Sequence, residues 1–304
     1  MGCRIHITDD FDPEKIAESG QCFRWEKLPG DSWRLIHGQR CLILREQGPG
    51  EYLADCGPDD FEQIWRPYFD LDRSYAEIRA MIDAQQDPFL AAAAAQGAGI
   101  RILRQDPWEM MISFIISQNR NIPAIKRSIE LLCRAAGEKH TDSEGNPYYG
   151  FPSPEAISSM SADELDSCRL GYRCRYVKCA AEAVLAGTGQ GRSDLADHAG
   201  PGGGGLDPAD HVGPGGEGLD LGALPHMDRE AAFKALTGIC GIGEKVASCI
   251  MLFGLHHLDT FPVDVWIRRV LDNEYPGGYP FERYSPYNGV FQQYMFAYYR
   301  SLRD

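Results

Sequence analysis

The residues best equipped for chemistry in this sequence are a lysine just after a glycine-rich turn and a solitary aspartate further along. The lysine is Lys245, which closes Leu236-Thr237-Gly238-Ile239-Cys240-Gly241-Ile242-Gly243-Glu244-Lys245, and the aspartate is Asp264, in Phe261-Pro262-Val263-Asp264. A neutral amine can add to an electrophilic carbon, and a carboxylate can stabilise positive charge that develops there. Lys245 falls in the expected first turn of a helix, where the helix dipole disfavours an ammonium and favours the amine. Each residue also has an ordinary reading: a lone Lys is usually a solvated cation, and an Asp ahead of a helical run such as Val265 to Leu271 is usually an N-cap.

The elements that must position the pair are legible around it. Ala231, Phe233 and Leu236 suggest a helix running in, and Val246, Ile250, Phe253 and Gly254 recur at helical spacing afterwards. Gly238, Gly241 and Gly243 are expected to form a turn that needs positive φ, which glycine adopts cheaply. The unit reads as helix, glycine hairpin, helix, and its backbone N–H groups at a helix N-terminus suit a phosphate oxygen. A P-loop is excluded, because Glu244 separates Gly243 from Lys245, no Ser or Thr follows, and a helix precedes the turn.

This constellation resembles the helix-hairpin-helix DNA glycosylase superfamily, in its lysine-bearing, base-excising and strand-nicking branch. Ser19-Gly20-Gln21-Cys22-Phe23-Arg24-Trp25, Leu103-Arg104-Gln105-Asp106-Pro107, Leu170-Gly171-Tyr172-Arg173-Cys174-Arg175-Tyr176-Val177 and the hairpin, in that order, are similar to 8-oxoguanine DNA glycosylases. The resemblance covers nearly all of the chain except one glycine-rich segment. It implies an α+β fold: an N-terminal antiparallel β-sheet domain with following helices, 1–105, packed on a mostly α-helical helix-hairpin-helix glycosylase core, 106–304. It also implies a bifunctional glycosylase and lyase that excises 8-oxoguanine from duplex DNA through a Schiff base on Lys245 and β-elimination, with Asp264 as the charge-stabilising carboxylate. No metal or diffusible cofactor is implied, and a monomer is expected.

Further roles follow residue by residue from the same resemblance. The Gly20 carbonyl would accept N7–H of the oxidised base, where guanine offers only a repelling lone pair. Gln292 would bond the base's Watson–Crick edge and Phe296 would stack on one face. Cys249, one turn after Lys245, is placed by helical spacing to cover the other face. Asn119 would fill the gap that the extruded base leaves, Tyr172 would wedge into the stack, and Arg173 would donate to the estranged cytosine. Gly241 and Gly243 would anchor a phosphate. Two positions depart from the family's pattern: Ala124 stands where a second cytosine-reading arginine is found, and Trp266 where a phosphate-contacting histidine is often found. The first implies relaxed selectivity for the opposite base, and the second a contact made by an indole N–H.

Composition sets bounds on these expectations. A chain of 304 residues with 43% hydrophobic content can bury one large core or two closely packed ones. A net charge of −14 argues against a nucleic-acid partner globally, yet basic residues cluster at Arg120, Lys126 and Arg127, at Arg169, Arg173, Arg175 and Lys178, and at Arg268 and Arg269. The 10 cysteines are scattered without a disulfide framework, and Cys168, Cys174 and Cys179 fit no common metal spacing. No apolar run approaches membrane-spanning length, and His6 breaks the acylation motif that Met1-Gly2-Cys3 begins. A soluble intracellular protein is expected, cytoplasmic or nuclear according to the cell type.

In chain order, Trp33–His37, Cys41–Arg45 and Glu51–Asp55 read as strands, with turns at His37-Gly38-Gln39 and Gln47-Gly48-Pro49-Gly50. Helices are expected through Tyr68 after a cap at Asp59 or Asp60, after a Ser74/Glu77 capping box, over Trp108–Ile116, and from Tyr287 to Arg300. Residues 187–224 contain a near-repeat, Ala196-Asp197-His198 against Ala209-Asp210-His211, and read as a flexible Gly-rich insertion. Two other functions fit the same residues. A sister glycosylase for another oxidised or ring-opened purine would discriminate poorly between lesions. A non-catalytic hairpin module would bind duplex DNA and would need the glycines but neither Lys245 nor Asp264.

Overall fold

The computed structural model describes residues 2–188 and 218–302. Five strands form one antiparallel sheet in the order β1-β5-β4-β3-β2: β1 Cys3–His6, β2 Trp25–Leu28, β3 Ser32–His37, β4 Arg40–Gly48 and β5 Glu51–Ala54. Register opposes Trp33 to Leu44 and Leu35 to Leu42, so large apolar residues meet on one face. Gly38 and Gly50 take φ of 57° and 73° in the two predicted turns.

The run 58–68 is helical as predicted and holds a π turn at Phe61–Trp65, but Gly57 is its N-cap, and Asp59 and Asp60, the expected caps, fall in the first turn. Ser74 accepts the Glu77 N–H at 3.1 Å, but the expected capping box is only half made. Asp9 takes the neighbouring donors, accepting Tyr75 N at 2.6 Å and Ala76 N at 3.0 Å.

The helices that build the site are α1 Pro107–Ser117, α2 Ile122–Ala136, α3 Cys174–Gly187, α4 Arg229–Thr237, α5 Glu244–Phe253, α6 Val265–Glu274 and α7 Asn288–Ser301. Pro107 occupies the first turn of α1, and Asp106 caps it by accepting Glu109 N at 2.8 Å. Residues Trp108 to Ile116 are all buried, so α1 is the central rod on which α2, α3 and α5 pack. A second apolar cluster lies under the sheet and centres on Trp25, Leu35, Leu42, Trp65 and Phe69.

The Gly20 loop is tied to the 101–105 segment by a buried amide. Gln21 Nε2 donates to the Arg101 carbonyl at 2.8 Å, its Oε1 accepts Leu103 N at 2.8 Å, and its own carbonyl accepts Gln105 Nε2 at 2.8 Å. Residues 189–217 of the expected insertion lie outside the described residues. The end of that expected segment is packed: Leu219 and Leu224 are buried, and Leu219 N donates to the Ala183 carbonyl at 2.8 Å. The core therefore resumes before the expected boundary at 224, because two leucines among the glycines find apolar partners. Among the described residues, no helix is long and apolar enough to cross a membrane.

Candidate active site

The hairpin between α4 and α5 has one strained corner. Gly241 takes φ of +83°, and a Cβ there would lie 2.3 Å from Tyr176 Cγ on α3, so neither the backbone nor the space admits a side chain. Gly238 and Gly243 correct the expectation of a wholly glycine-dependent turn, with ordinary φ values of −71° and −86°. A Cβ at Gly243 would meet nothing within 4 Å. What glycine supplies at 243 is bare backbone at the mouth of a groove. Helix α5 starts there with no side-chain cap, so its first N–H groups remain available to an anion.

Lys245 and Asp264 line the same cavity of about 860 Å³, together with Asn119, Gly241, Gly243 and Trp266. The Lys245 amine sits 5.5 Å from the centre of the Phe114 ring, and its charge acts on the Cys249 thiol one turn on. Phe114 in turn stacks on Phe253 with ring centres 5.4 Å apart, which makes an aromatic floor beneath the amine. Asp264 is the N-cap of α6, and one of its oxygens, Oδ1, accepts Trp266 N at 2.9 Å and Ile267 N at 2.8 Å. Among the described residues no donor is placed on Oδ2. The cap fixes the rotamer and leaves the other oxygen on the wall of the cavity that Lys245 also lines.

Of the four expected pocket residues, Gly20 and Phe296 are in contact, and Gln292 and Cys249 are buried on α7 and α5. A Cβ on Gly20, at φ of +79°, would lie 3.4 Å from Phe296 Cε1, so the glycine is seated against that ring. Gln292 is 3% exposed and donates from Nε2 to the Pro262 carbonyl at 3.1 Å, two residues before Asp264. Cys249 is also buried; burial pushes its thiol pKa up, against the downward pull of Lys245.

At the far lip, Asn119 holds φ of +51° and donates from Nδ2 to the Tyr172 hydroxyl at 3.2 Å. Tyr172 is 49% exposed, so its ring is open to solvent at this lip. Arg173 is buried instead, with its Cζ 4.3 Å from the centre of the Tyr172 ring. Its guanidinium donates to the carbonyls of Gln118 and Leu170.

Comparison with known proteins places this geometry. Residues 4–111 match the model for the N-terminal domain of 8-oxoguanine DNA glycosylase, and residues 112–275 match the model for the HhH-GPD superfamily of base excision DNA repair proteins. The chain belongs to the HhH-GPD superfamily, in its 8-oxoguanine DNA glycosylase branch. An N-glycosylase/DNA lyase of Saccharomyces cerevisiae is 30% identical over 274 residues, a match covering 86% of this chain and 67% of that protein. Among solved structures, MBOgg1 in complex with a low-affinity DNA ligand is 32% identical with a TM-score of 0.84, covering 100% of this chain and 96% of that one. The Clostridium acetobutylicum 8-oxoguanine glycosylase/lyase, in complex with double-stranded DNA containing cytosine opposite 8-oxoguanine, is 27% identical with a TM-score of 0.83 and the same coverage.

For a member of this superfamily, the sequence reading missed several supporting residues. Phe114 reads as ordinary core, and no periodicity signals that its ring face carries the Lys245 amine. Gln118 joins both sides of the groove, donating from Nε2 to the Gly241 carbonyl at 2.8 Å while its own carbonyl receives Arg173. Of the basic clusters, Arg127, Arg169, Arg268 and Arg269 remain exposed, whereas Lys178 donates to the Met160 carbonyl at 3.1 Å. Arg269 covers the Trp266 ring at 5.3 Å, so the indole and a cation share the lip above Asp264.

Proposed function

We propose that the protein excises 8-oxoguanine from duplex DNA and then nicks the strand, using Lys245 as nucleophile and Asp264 as the charge-stabilising carboxylate. The observation that carries this reading is the meeting of Lys245, the free oxygen of Asp264 and the uncapped hairpin N–H groups in one groove. The hairpin, with Gly241 and Gly243, anchors a backbone phosphate of the damaged strand. The extruded base enters between Phe296 and Cys249, with the Gly20 carbonyl on N7–H and Gln292 on the Watson–Crick edge. Asn119 and Tyr172 occupy the gap left in the stack.

As the bond from C1′ to N9 breaks, the base leaves with the electron pair and takes up a proton. Positive charge grows on the deoxyribose, where Asp264 stabilises it. The Lys245 amine then bonds C1′ and becomes a Schiff base as the sugar ring opens. The resulting iminium acidifies C2′; loss of that proton expels the 3′ phosphate by β-elimination. Oxidised guanine in double-stranded DNA is thus the partner, and the exposed Arg127, Arg169, Arg268 and Arg269 give the acidic chain a local surface for phosphates.

Borohydride reduction tests the reading, since it traps the Schiff base as a stable amine. Duplexes carrying 8-oxoguanine opposite cytosine should yield a covalent adduct with the wild-type chain and none with Lys245→Gln. Undamaged guanine should yield none with either. Tight duplex binding with no adduct on any lesion would leave Lys245 a surface cation and the chain a binding module.

A further inference from the structure

A second glutamine stands behind the base-reading one. Gln293 is 4% exposed, and its Nε2 donates to Gln292 Oε1 at 3.1 Å. Its own Oε1 is buried without a hydrogen-bond partner. Two adjacent buried amides on one helix, with one orphaned acceptor, are costly unless the arrangement does something.

The chemistry of the partners dictates the direction of the chain. A carbonyl can only accept, so the Gln292 atom facing Pro262 O must be its NH₂ group. Gln292 Oε1 therefore faces Gln293, and only an NH₂ group can meet it there. Gln293 must then turn its Oε1 away from Gln292, and there the acceptor is buried without a partner. One lone pair and one N–H of Gln292 are left over. Together they match a purine edge that offers a 6-carbonyl and N1–H. Rotated by half a turn, the same amide would match an edge that offers a 6-amino group and a bare N1.

We propose that Gln293 is a positioning residue that, together with the Pro262 carbonyl, fixes the orientation of the Gln292 amide, and so makes the site read 6-oxo rather than 6-amino purines. The inference rests on the proposed role of Gln292 at the base and names what sets its specificity. It gives Gln293 a function that burial alone does not explain.

8-Oxoadenine is the probe that separates the edges: it keeps N7–H and the 8-carbonyl and differs at the 6 and 1 positions. It also lacks the 2-amino group, a difference common to wild type and variants that cancels when their ratios are compared. Single-turnover excision of 8-oxoguanine and of 8-oxoadenine, each opposite cytosine, gives a ratio for each variant. A misfolded fraction cancels from that ratio. Gln293→Met keeps the length and removes the donor, and should reduce the preference for 8-oxoguanine by about tenfold. Gln293→Glu presents an acceptor to Gln292 at neutral pH and should reduce the preference further. Its ratio should recover as the pH falls and the protonated carboxyl donates again, while the Met variant's ratio stays flat. Ratios equal to wild type in both variants overturn the proposal, and so does loss of both reactions without a change of preference. Wild-type protein that excises neither base sinks the activity itself, an outcome separate from failure of the Gln293 variants alone.

Discussion

Arg173 gives its guanidinium to the backbone of Gln118, with Nε 2.9 Å from the carbonyl oxygen, at the turn that presents Asn119. The residue expected to read the estranged cytosine is therefore also a brace for the loop that fills the gap. Arg173→Ala should lower folding stability by about 2 kcal/mol, because it strands buried carbonyls. It should also weaken binding to an 8-oxoguanine:cytosine duplex. Arg173→Lys keeps the charge and loses the fork, so its melting temperature should fall in between. An alanine variant that melts like wild type but binds poorly would confine Arg173 to the DNA.

The two hairpin glycines should separate folding from binding. Gly241→Ala forces a Cβ against Tyr176 at positive φ, so the variant should melt well below wild type and lose DNA affinity with it. Gly243→Ala meets open space at an ordinary φ and should change stability by less than about 1 kcal/mol. Its methyl group would stand where a phosphate must approach, so affinity should drop while the melting curve stays put. Equal losses of stability in both variants would contradict this division.

The contrast between these glycines shows what local pattern can and cannot reveal. Helix, hairpin, helix and the pairing of Lys245 with Asp264 are legible because glycine placement and apolar periodicity are properties of neighbouring residues. Which glycine is strained depends on Tyr176, which is remote in sequence. The same limit hid Gln118, Gln293 and Phe114, whose roles come from partners on other helices. The bracing role of Arg173 is hidden as well, because its acceptors are main-chain carbonyls, which leave no mark in composition. Leu219 and Leu224 were absorbed into a glycine-rich stretch for the same reason: their partners lie elsewhere.

Ala124 offers a test of opposite-base selectivity. It sits in the first turn of α2, with its N–H on Asn121 Oδ1 at 3.0 Å, and its methyl group has nothing to donate to a base. Wild-type protein should excise 8-oxoguanine opposite cytosine and opposite adenine at similar rates. Ala124→Arg should raise the preference for cytosine by about tenfold or more, since a good bidentate base contact discriminates by about 1–3 kcal/mol. A wild-type chain already strict for cytosine would mean that Arg173 suffices.

His256 should make stability depend on acid. Its side chain is 8% exposed, with Nε2 3.2 Å from the Ile102 carbonyl and 3.5 Å from Asp70, which also holds Arg73 and Arg104. Burial pushes its pKa down to about 4, despite the opposing pull of Asp70. The folded protein therefore keeps this imidazole neutral where the unfolded chain, titrating near 6.5, already binds a proton. The contribution of neutral His256 is present above pH 6.5 and is lost progressively as the pH falls toward 4, up to about 3 kcal/mol. His256→Asn suits the φ of +57° and removes the titration. Denaturant unfolding of both proteins between pH 7 and 4 isolates the effect, because acid loss from carboxylates is common to both and cancels. The wild-type advantage should shrink across that window; a constant difference would mean that His256 stays neutral in both states or titrates alike in both.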